Sequence, residues 1–385
     1  MRKVLIVSPI PTHPANAGNR ARIKKLCEAL RELGHDVYLL HVRRSSRHCD
    51  EVQNAWGDRY VAVDSTQRST TSRRLYRRVV RAIRPDAAHR FGLDEWYDPA
   101  IDAAIGSLQE HVEIDTVIAQ YVFMSRALLR FSDDVLKVLD THDVFANRHR
   151  SYLSNDQRPH WYSCSARAEI RGLNRADTVL AIQEDEAAYF RTQTKRPVMT
   201  IGHSVDLKAL PTEEVVAGRI LAVGSENPIN VESLNWFVTS VLPKVQREVP
   251  AAELAVAGSI CNVLDERPGV RLLGTMENLE AAYLTAQVVV NPMRFGTGLK
   301  IKSLEPLGYA RALVTTPVGA AGLSDGSREA FLEEGDDQPF ADRVIELLKD
   351  PTAATRLGHA GYRYAARYND AIRANLIRLF GARVR

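Results

Sequence analysis

The chain has 385 residues, of which 45% are hydrophobic and 25% are charged, and these proportions are typical of a globular protein of about two domains. The 51 basic and 47 acidic residues leave a net charge of +4, so we expect no nucleic-acid partner. The four cysteines form no CxxC pair, and no segment approaches the roughly 20 apolar residues of a membrane span, which excludes a zinc ribbon and predicts no transmembrane helix. Because the apolar run after Met1 is also too short for a signal peptide, we expect a cytoplasmic protein.

The N-terminal segment predicts a strand, a helix and a second strand. Residues 4–7 form a continuous apolar run, which is typical of a strand buried on both faces. Apolar residues then recur at spacings of three and four over residues 23–33, which predicts a helix that Asn19 caps at its start and Gly34 ends. Residues 37–42 are the second strand. Together these elements begin a doubly wound α/β sheet.

The same pattern starts again at Arg219. Strands are predicted at residues 220–223, 253–257, 288–290 and 312–315. Pro and Gly interrupt the apolar pattern over residues 205–218, which indicates a domain boundary. We therefore predict one domain at residues 1–205 and another at 206–370, with a helix at 371–385 that crosses back to the first. The predicted fold is α/β, with two Rossmann-like domains facing across a cleft into which the strand ends open.

The most informative segment, residues 291–305, lies between a predicted strand and a predicted helix. Gly296 and Gly298 allow the backbone to approach a ligand closely, and the start of the helix offers N–H groups to an anion. Lys300 and Lys302 add positive charge that suits a diphosphate, and the Glu305 carboxylate can accept hydrogen bonds from a ribose. A tight turn with solvated lysines has the same spacing, so the pattern alone leaves both interpretations open.

Several segments together resemble the GT-B glycosyltransferases, in particular the large retaining class known as glycosyltransferase group 1 or family 4. The resemblance lies in residues 291–323, Gly224, Ser225, residues 257–259 and 273–275, and less specifically in residues 8–11, Gly18, residues 34–35 and 177–182. It implies a nucleoside-diphosphate sugar as donor and co-substrate, no other cofactor, no metal ion and retention of the anomeric configuration. The acceptor remains open between a small molecule, a glycan and a lipid-linked sugar.

The resemblance also implies roles for individual residues. Glu305 holds the donor ribose, Lys300 binds the diphosphate and assists catalysis, and Gly18 lies against the diphosphate. The implied donor-binding set is Gly18, Gly224, Ser225, Asn227, Arg294, Gly296, Thr297, Gly298, Leu299, Lys300 and Glu305. Lys302 is further into the helix, so we expect its side chain to sample solvent or the interdomain edge.

Two departures from the family pattern concern the donor site. Thr297 stands where the family often has a glutamate near the donor sugar, and the segment 225–230 lacks the usual Arg and Lys after the first strand of the domain. A subgroup of the family shows a Gly-x-Gly-x-Lys pattern instead, which this sequence resembles.

A third departure concerns the catalytic histidine. The family usually carries a His at the end of a strand where this sequence has Gln120 and Tyr121. His142 follows the next apolar run, and at a strand end it can bind a sugar hydroxyl or stabilise charge, so it is the catalytic candidate. A structural histidine hydrogen-bonded to a loop is the alternative. His13 and His203 are further candidates.

A basic segment adds a hypothesis about membranes. Six arginines lie between residues 73 and 84, mostly away from an apolar stripe of the predicted helix: Arg73, Arg74, Arg77, Arg78, Arg81 and Arg84. Such a helix can lie on the anionic inner membrane surface. The alternative is an ordinary amphipathic helix with a solvated basic face.

Three other functions compete with the glycosyltransferase. Rossmann domains also bind dinucleotides, but no GxGxxG motif follows Val7 or Val223, which disfavours an oxidoreductase. A two-domain sugar receptor of the periplasm would need a signal peptide. An inactive, degenerate GT-B protein that only binds nucleotide-sugars stays open because of Thr297 and Gln120.

Overall fold

The computed structural model describes residues 1–15, 17–43, 49–65, 88–154, 158–159 and 161–381. Within it the chain divides into two compact units. The first contains Met1–Gly202 and Asn375–Arg385, and the second contains His203–Ala374. The basic segment of residues 73–84 lies outside the described residues.

The first unit is built around a parallel sheet of seven strands. The strands are β1 (Lys3–Ser8), β2 (Asp36–Arg43), β3 (Tyr60–Asp64), β4 (Thr116–Gln120), β5 (Leu136–Asp140), β6 (Thr178–Ala181) and β7 (Val198–Thr200). The described helices are α1 (Gly18–Glu32), α2 (Cys49–Trp56), α3 (Ala100–Gln109), α4 (His149–Leu153), α5 (Ala166–Leu173) and α6 (Glu184–Gln193), with 3-10 helices at Gly57–Arg59 and Val122–Arg130. The order is β3-β2-β1-β4-β5-β6-β7, so the strand order reverses between β1 and β4.

Apolar strand residues form the core of this unit. Leu5, Val117 and Leu139 are fully buried in it, because a parallel sheet covered on both faces leaves no solvated side. The predicted cap of α1 is wrong. The helix begins at Gly18, two residues earlier than a cap at Asn19 would place it, and the Asn19 side chain accepts the N–H of Arg20 at 3.0 Å instead of capping the helix.

The second unit repeats the plan with six parallel strands. They are β8 (Arg219–Val223), β9 (Glu253–Ala257), β10 (Val270–Gly274), β11 (Val288–Asn291), β12 (Ala312–Thr315) and β13 (Leu332–Glu333). The described helices are α7 (Pro228–Trp236), α8 (Leu242–Glu248), α9 (Glu280–Thr285), α10 (Ile301–Gly308), α11 (Asp337–Lys349) and α12 (Pro351–Gly381), with a π-helical turn at Phe237–Val241 and 3-10 helices at Ser259–Val263 and Ser324–Gly326. The order is β10-β9-β8-β11-β12-β13, which reverses between β8 and β11. The strands predicted at residues 253–257 and 312–315 are confirmed.

The C-terminal helix α12 contributes residues to both units. From Asn375 onward its residues belong to the first unit, where Asn375 Nδ2 donates a hydrogen bond of 2.9 Å to the carbonyl of Thr200. Earlier in the helix, Asn369 Nδ2 donates to the Val205 carbonyl at 2.8 Å within the second unit. None of the helices in the described part of the chain has the length and apolar character that crossing a bilayer requires.

Two helical glycines should respond to alanine substitution in opposite directions. A Cβ atom at Gly358 would lie 2.1 Å from the carbonyl oxygen of Ala310, whereas nothing lies within 4 Å of a Cβ at Gly106. We expect Gly358→Ala to destabilise the second unit by about 1–3 kcal/mol through overpacking, and Gly106→Ala to stabilise the first by about 0.5–1 kcal/mol. Denaturant unfolding measures both changes. Equal effects of the two substitutions would contradict the packing of α12.

Candidate active site

The loops that follow β8 and β11 form the candidate donor site of the second unit. These strands are neighbours in the sheet, and the strand order reverses between them. Parallel α/β sheets bind ligands at the carboxyl ends of strands beside such a reversal. Both loops lead into helices, α7 and α10, whose first turns carry N–H groups with no partner inside the helix. The two segments expected to bind the donor, which follow β8 and β11, therefore lie at the same edge of the sheet.

The glycine loop before α10 is wrapped around the Lys300 ammonium. Lys300 Nζ donates to the carbonyls of Thr297 at 2.7 Å and Gly298 at 2.5 Å, and the residue is only 6% exposed. Gly296 and Gly298 adopt φ values of 119° and 76°, which only glycine adopts readily. Because the N–H of a trans peptide points opposite to its carbonyl, the N–H groups of Gly298 and Leu299 point away from the ammonium. They can face an anion.

Lys302 occupies a different position from the one expected. Because α10 begins at Ile301, Lys302 lies in the first turn, and its Nζ donates to Asn230 Oδ1 at 2.7 Å. Asn230 Nδ2 in turn donates to the carbonyl and to the hydroxyl of Ser225, both at 3.1 Å. Burial, with a smaller contribution from the nearby Lys300 charge, lowers the pKa of Lys302 to about 7. The expectation that this side chain samples solvent is wrong.

A buried set of hydrogen bonds fixes where α10 starts. Asn291, the last residue of β11, donates from Nδ2 to Ser303 Oγ at 2.6 Å. Ser303 Oγ donates to the carbonyl of Gly319 at 2.7 Å. The strand end, the first turn of the helix and the loop after β12 are thereby joined. The glycine loop between Asn291 and Ser303 is thus anchored on both sides.

Glu305 lies on α10, one turn after Ile301. Its Oε2 accepts a hydrogen bond of 3.2 Å from the hydroxyl of Tyr283, a fully buried residue of α9. Burial, and then the Glu305 charge, raise the pKa of Tyr283 well above its ordinary value, so the phenol stays protonated and donates. The carboxylate is therefore held in a fixed orientation at a half-buried position.

Apart from Gly18, the remaining predicted donor-site residues lie on the same two loops. Asn227 caps α7, with its side chain accepting the Ile229 N–H at 2.9 Å. Gly224 donates its N–H to the Ala257 carbonyl at 2.9 Å, which holds the start of the first loop. The Arg294 side chain is exposed, and its guanidinium lies 4.9 Å from the centroid of the Trp236 ring. Thr297 is exposed and Leu299 is buried.

A cluster of buried polar side chains occupies the equivalent edge of the first unit. Arg22 of α1 and Asp140 at the end of β5 form an ion pair of 2.6 Å, with 3% and 0% of their side chains exposed. His142 Nε2 lies 2.5 Å from Gln120 Oε1 and 3.6 Å from Asp140 Oδ2. An amide oxygen only accepts, so Nε2 carries the hydrogen in this arrangement. Gln120, at the position where the family usually has its histidine, thus contacts His142.

His142 is a neutral group in this environment. Burial lowers its pKa to about 4, with the Asp140 charge opposing that shift. Its ring stacks on that of Tyr121, with centroids 4.0 Å apart. Both residues have positive φ values, 63° and 73°, a strained conformation that clusters at functional sites. His142 can therefore offer a hydrogen bond near neutral pH but no positive charge.

The other candidates of the first unit and its neighbourhood are more dispersed. Gly18 is exposed at the first position of α1, where the helix start can face an anion. His13 Nδ1 lies 3.0 Å from the hydroxyl of Thr12. His203 is 3% exposed, and it belongs to the second unit.

Sequence reasoning missed several residues that hold the site. Asn230 could have been found, because it lies in the segment that lacks the family's usual cations. Ser303 carries a weaker signal, as a small polar residue on the buried face of a helix. No sequence signal points to Arg22 or to Tyr283. Their partners, Asp140 and Glu305 respectively, are distant in the sequence. In the part of the chain that the structure describes, no three His, Cys, Asp or Glu side chains cluster closely enough to hold a metal ion.

Two family sequence models match the chain, one in each unit. The model described as "Glycosyltransferase Family 4" matches residues 20–209, and that described as "Glycosyl transferases group 1" matches residues 217–350. Together they cover most of the sequence. A protein of Klebsiella pneumoniae, described as an uncharacterized 44.6 kDa protein in the cps region, is 23% identical over 378 residues, which cover 91% of this chain and 92% of that protein.

Solved glycosyltransferase structures share the fold. The structure of a TarM variant from S. aureus in complex with UDP and α-GlcNAc-glycerol superposes with a TM-score of 0.70 at 11% identity, covering 99% of this chain and 100% of that one. The pneumococcal O-GlcNAc transferase GtfA, in complex with UDP and GlcNAc, gives a TM-score of 0.69 at 10% identity, covering 99% of both chains. The chain therefore belongs to the group 1/family 4-like class of GT-B glycosyltransferases, with two Rossmann-like domains, and is a nucleotide-sugar-dependent enzyme.

Proposed function

We propose that this enzyme moves a hexosyl-type sugar from a nucleoside diphosphate to a small-molecule, glycan or lipid-linked acceptor, with retention of configuration and without a metal ion. The second unit binds the donor, and the first is the acceptor-side domain. His142 and Gly18 are its candidate contributors to the reaction.

The observation that carries the proposal is the contact between Lys302 and Asn230. It brings an ammonium group of α10 to the loop after β8, where the sequence itself offers no cation. Beside it lie the N–H groups of the glycine loop and the positive end of the α10 dipole. A diphosphate is the ligand whose charge such an arrangement matches.

The proposed donor and acceptor classes rest partly on the similarity of this chain to other proteins. TarM and GtfA are each described in complex with UDP, and TarM also with α-GlcNAc-glycerol. These descriptions make a uridine nucleotide the first donor to test. The relative from K. pneumoniae lies in a cps region, which makes a glycan a suitable acceptor class.

Catalysis in this proposal depends on fixed positive charge. As the bond between the sugar and the diphosphate breaks, negative charge grows on the leaving phosphate and the sugar becomes cation-like. In this proposal Lys302, the loop N–H groups and Arg294 stabilise that charge, and because they belong to folded loops little reorganisation accompanies the reaction. Lys300 acts by holding the loop in shape. Glu305 orients the nucleoside, and the neutral His142 is a hydrogen-bond partner for a sugar hydroxyl.

Release of nucleoside diphosphate from a panel of nucleotide-sugars tests the whole proposal. We expect at least one donor to be consumed, and we expect turnover to survive EDTA. If nucleotide-sugars bind but none of them releases nucleoside diphosphate, with either glycan or lipid-linked acceptors present, the result would favour the inactive GT-B alternative. Loss of turnover with EDTA and recovery with Mg²⁺ or Mn²⁺ would contradict the metal-independent mechanism.

The proposal includes a peripheral position at the cytoplasmic face of the inner membrane, through the arginines of residues 73–84. Only the sequence supports this contact. Co-sedimentation with anionic vesicles should fall when Arg73, Arg74, Arg77 and Arg78 are changed to serine. Unchanged co-sedimentation would leave the segment with a structural role alone.

Lys302 should couple donor binding to proton uptake. Its pKa of about 7 leaves it partly neutral near pH 7, and a bound diphosphate favours the charged form, so binding should raise the pKa and take up a proton. Affinity for UDP should then fall by up to about tenfold per pH unit above pH 7. Calorimetry in buffers of different ionisation enthalpy measures the proton uptake directly.

Lys302→Met and Lys300→Met separate the roles of the two lysines. The first should abolish the proton uptake and raise the barrier by about 2–4 kcal/mol. The second should weaken binding through the loop while the proton uptake persists. Equal proton uptake in the parent enzyme and in Lys302→Met would remove Lys302 from the diphosphate site.

Glu305 should matter only for ligands that carry a ribose. Glu305→Ala should weaken UDP binding by about 2 kcal/mol, because ribose hydroxyls lose a charged acceptor. Inorganic pyrophosphate, which has no ribose, should bind with unchanged affinity, and this serves as the internal control. Tyr283→Phe keeps the carboxylate but removes its buried donor, so a smaller loss of UDP affinity is expected. Unchanged UDP affinity in Glu305→Ala would exclude the ribose contact.

A further inference from the structure

A basic cavity lies at the amino ends of β5, β6 and β7 in the first unit. Its volume is about 800 Å³, within the range of small-molecule sites. The walls come from α5, from the turn after it and from the segments that precede the three strands. Its basic lining residues are Lys137, Arg167, Arg171, Arg175 and Arg196, and its acidic ones are Asp133 and Asp177.

The acidic residues of the cavity do not neutralise its arginines. Asp133 pairs with Lys137 at 3.0 Å, and Asp177 accepts the backbone N–H of Lys137 at 2.9 Å. Arg175 pairs with Asp94 at 2.5 Å. Lys137 and Arg175 thus each have a carboxylate partner, whereas the Asp177 carboxylate keeps its charge. Five basic against two acidic lining residues still leave the cavity with a net positive charge.

Three exposed guanidiniums remain, from Arg167, Arg171 and Arg196. Arg167 and Arg171 lie one turn apart on α5, and neither makes a hydrogen bond or ion pair with any residue that the structure describes. The Arg196 guanidinium donates to the backbone carbonyl of Asn174 at 3.2 Å. Like charges converge here and outnumber the nearby carboxylates, in a chain whose net charge is only +4.

The cavity is distinct from the polar cluster around His142. That cluster lies at the carboxyl ends of β4 and β5, whereas Lys137 and Asp177 stand at the opposite ends of β5 and β6. Parallel sheets place their main ligand site at the carboxyl edge. A ligand at the amino edge would therefore bind independently of the reacting groups of this unit.

We propose that this cavity is a second anion site, which binds a compact ligand through one or more phosphate groups. The planar guanidinium forms paired hydrogen bonds with phosphate oxygens, which makes arginine the preferred side chain for such recognition. The concave shape favours a phosphate group that enters the cavity over contact with a flat charged surface. The site goes beyond the proposed transferase activity and does not depend on it.

Titration of the full chain with inorganic pyrophosphate at low salt tests the site. We expect two binding events, one in the glycine loop of the second unit and one in this cavity. R167Q/R171Q should weaken only the cavity event, by at least about tenfold, because two charge-assisted contacts are lost. R196Q, a milder change, should weaken the same event to a smaller extent. Raising the salt concentration should weaken it further.

R363Q/R367Q is the matched control. These arginines are also exposed and one turn apart, on α12, but they are not among the residues that line this cavity. Removing them changes the net charge equally and should leave both binding events intact. An equal loss in this control, or no loss in R167Q/R171Q and R196Q, would overturn the proposal.

Vesicles of phosphatidylcholine and phosphatidylglycerol identify the source of the phosphate. If R167Q/R171Q also loses vesicle binding relative to R363Q/R367Q, the cavity accepts a lipid headgroup. If vesicle binding is unchanged while the cavity pyrophosphate event weakens, the ligand is a free phosphorylated molecule. Both results support the phosphate site. Failure of the transferase assay would leave this titration unaffected, so the two proposals fail separately.

Discussion

The contact between the Lys300 ammonium and the carbonyls of its own loop shapes the candidate donor site. A loop with two glycines has many accessible conformations, and the ammonium selects one by drawing the carbonyls of Thr297 and Gly298 inward. The peptide planes then direct the N–H groups of Gly298 and Leu299 outward, an orientation in which backbone N–H groups can face an anion. Asn291 and Ser303 anchor the two ends of the loop. The same lysine that the sequence assigns to the diphosphate thus serves the site by shaping its backbone.

The fold could be predicted from the sequence because its signals are local. Continuous apolar runs such as residues 254–257 and 312–314 become buried parallel strands, and the glycine segment becomes the loop between β11 and α10. The edge of the sheet at which ligands bind follows from the topology alone. Asn19 shows how local reasoning fails even here. A helix start is decided by small differences between neighbouring residues, and Gly18 begins α1 without a side-chain cap.

The contacts within the site could not be predicted, because they join residues far apart in the chain. Lys302 reaches Asn230 across 72 positions, and Arg22 reaches Asp140 across 118. Periodicity places such residues on an element but does not show which partner another element supplies. The expectation that Lys302 points to solvent failed for this reason. Its partner comes from α7, whose distance from α10 is fixed only when β8 and β11 pair.

In both units burial lowers the pKa of a basic side chain at the candidate site. In the first, a buried ion pair and a histidine with a pKa of about 4 give a cluster in which the imidazole is neutral. In the second, Lys302 has a folded-state pKa of about 7, below its ordinary value. The unfolded chain therefore binds more protons than the folded one between about pH 7 and pH 10, and the stability of the free protein rises with pH in that window. Partial burial of the Lys302 ammonium destabilises the folded protein when no anion is bound. The proposed diphosphate would favour the charged form of the lysine and so offset that cost in free energy. A site organised in this way holds its anion most strongly when the leaving phosphate carries the most charge, which is the property that transfer of a sugar requires.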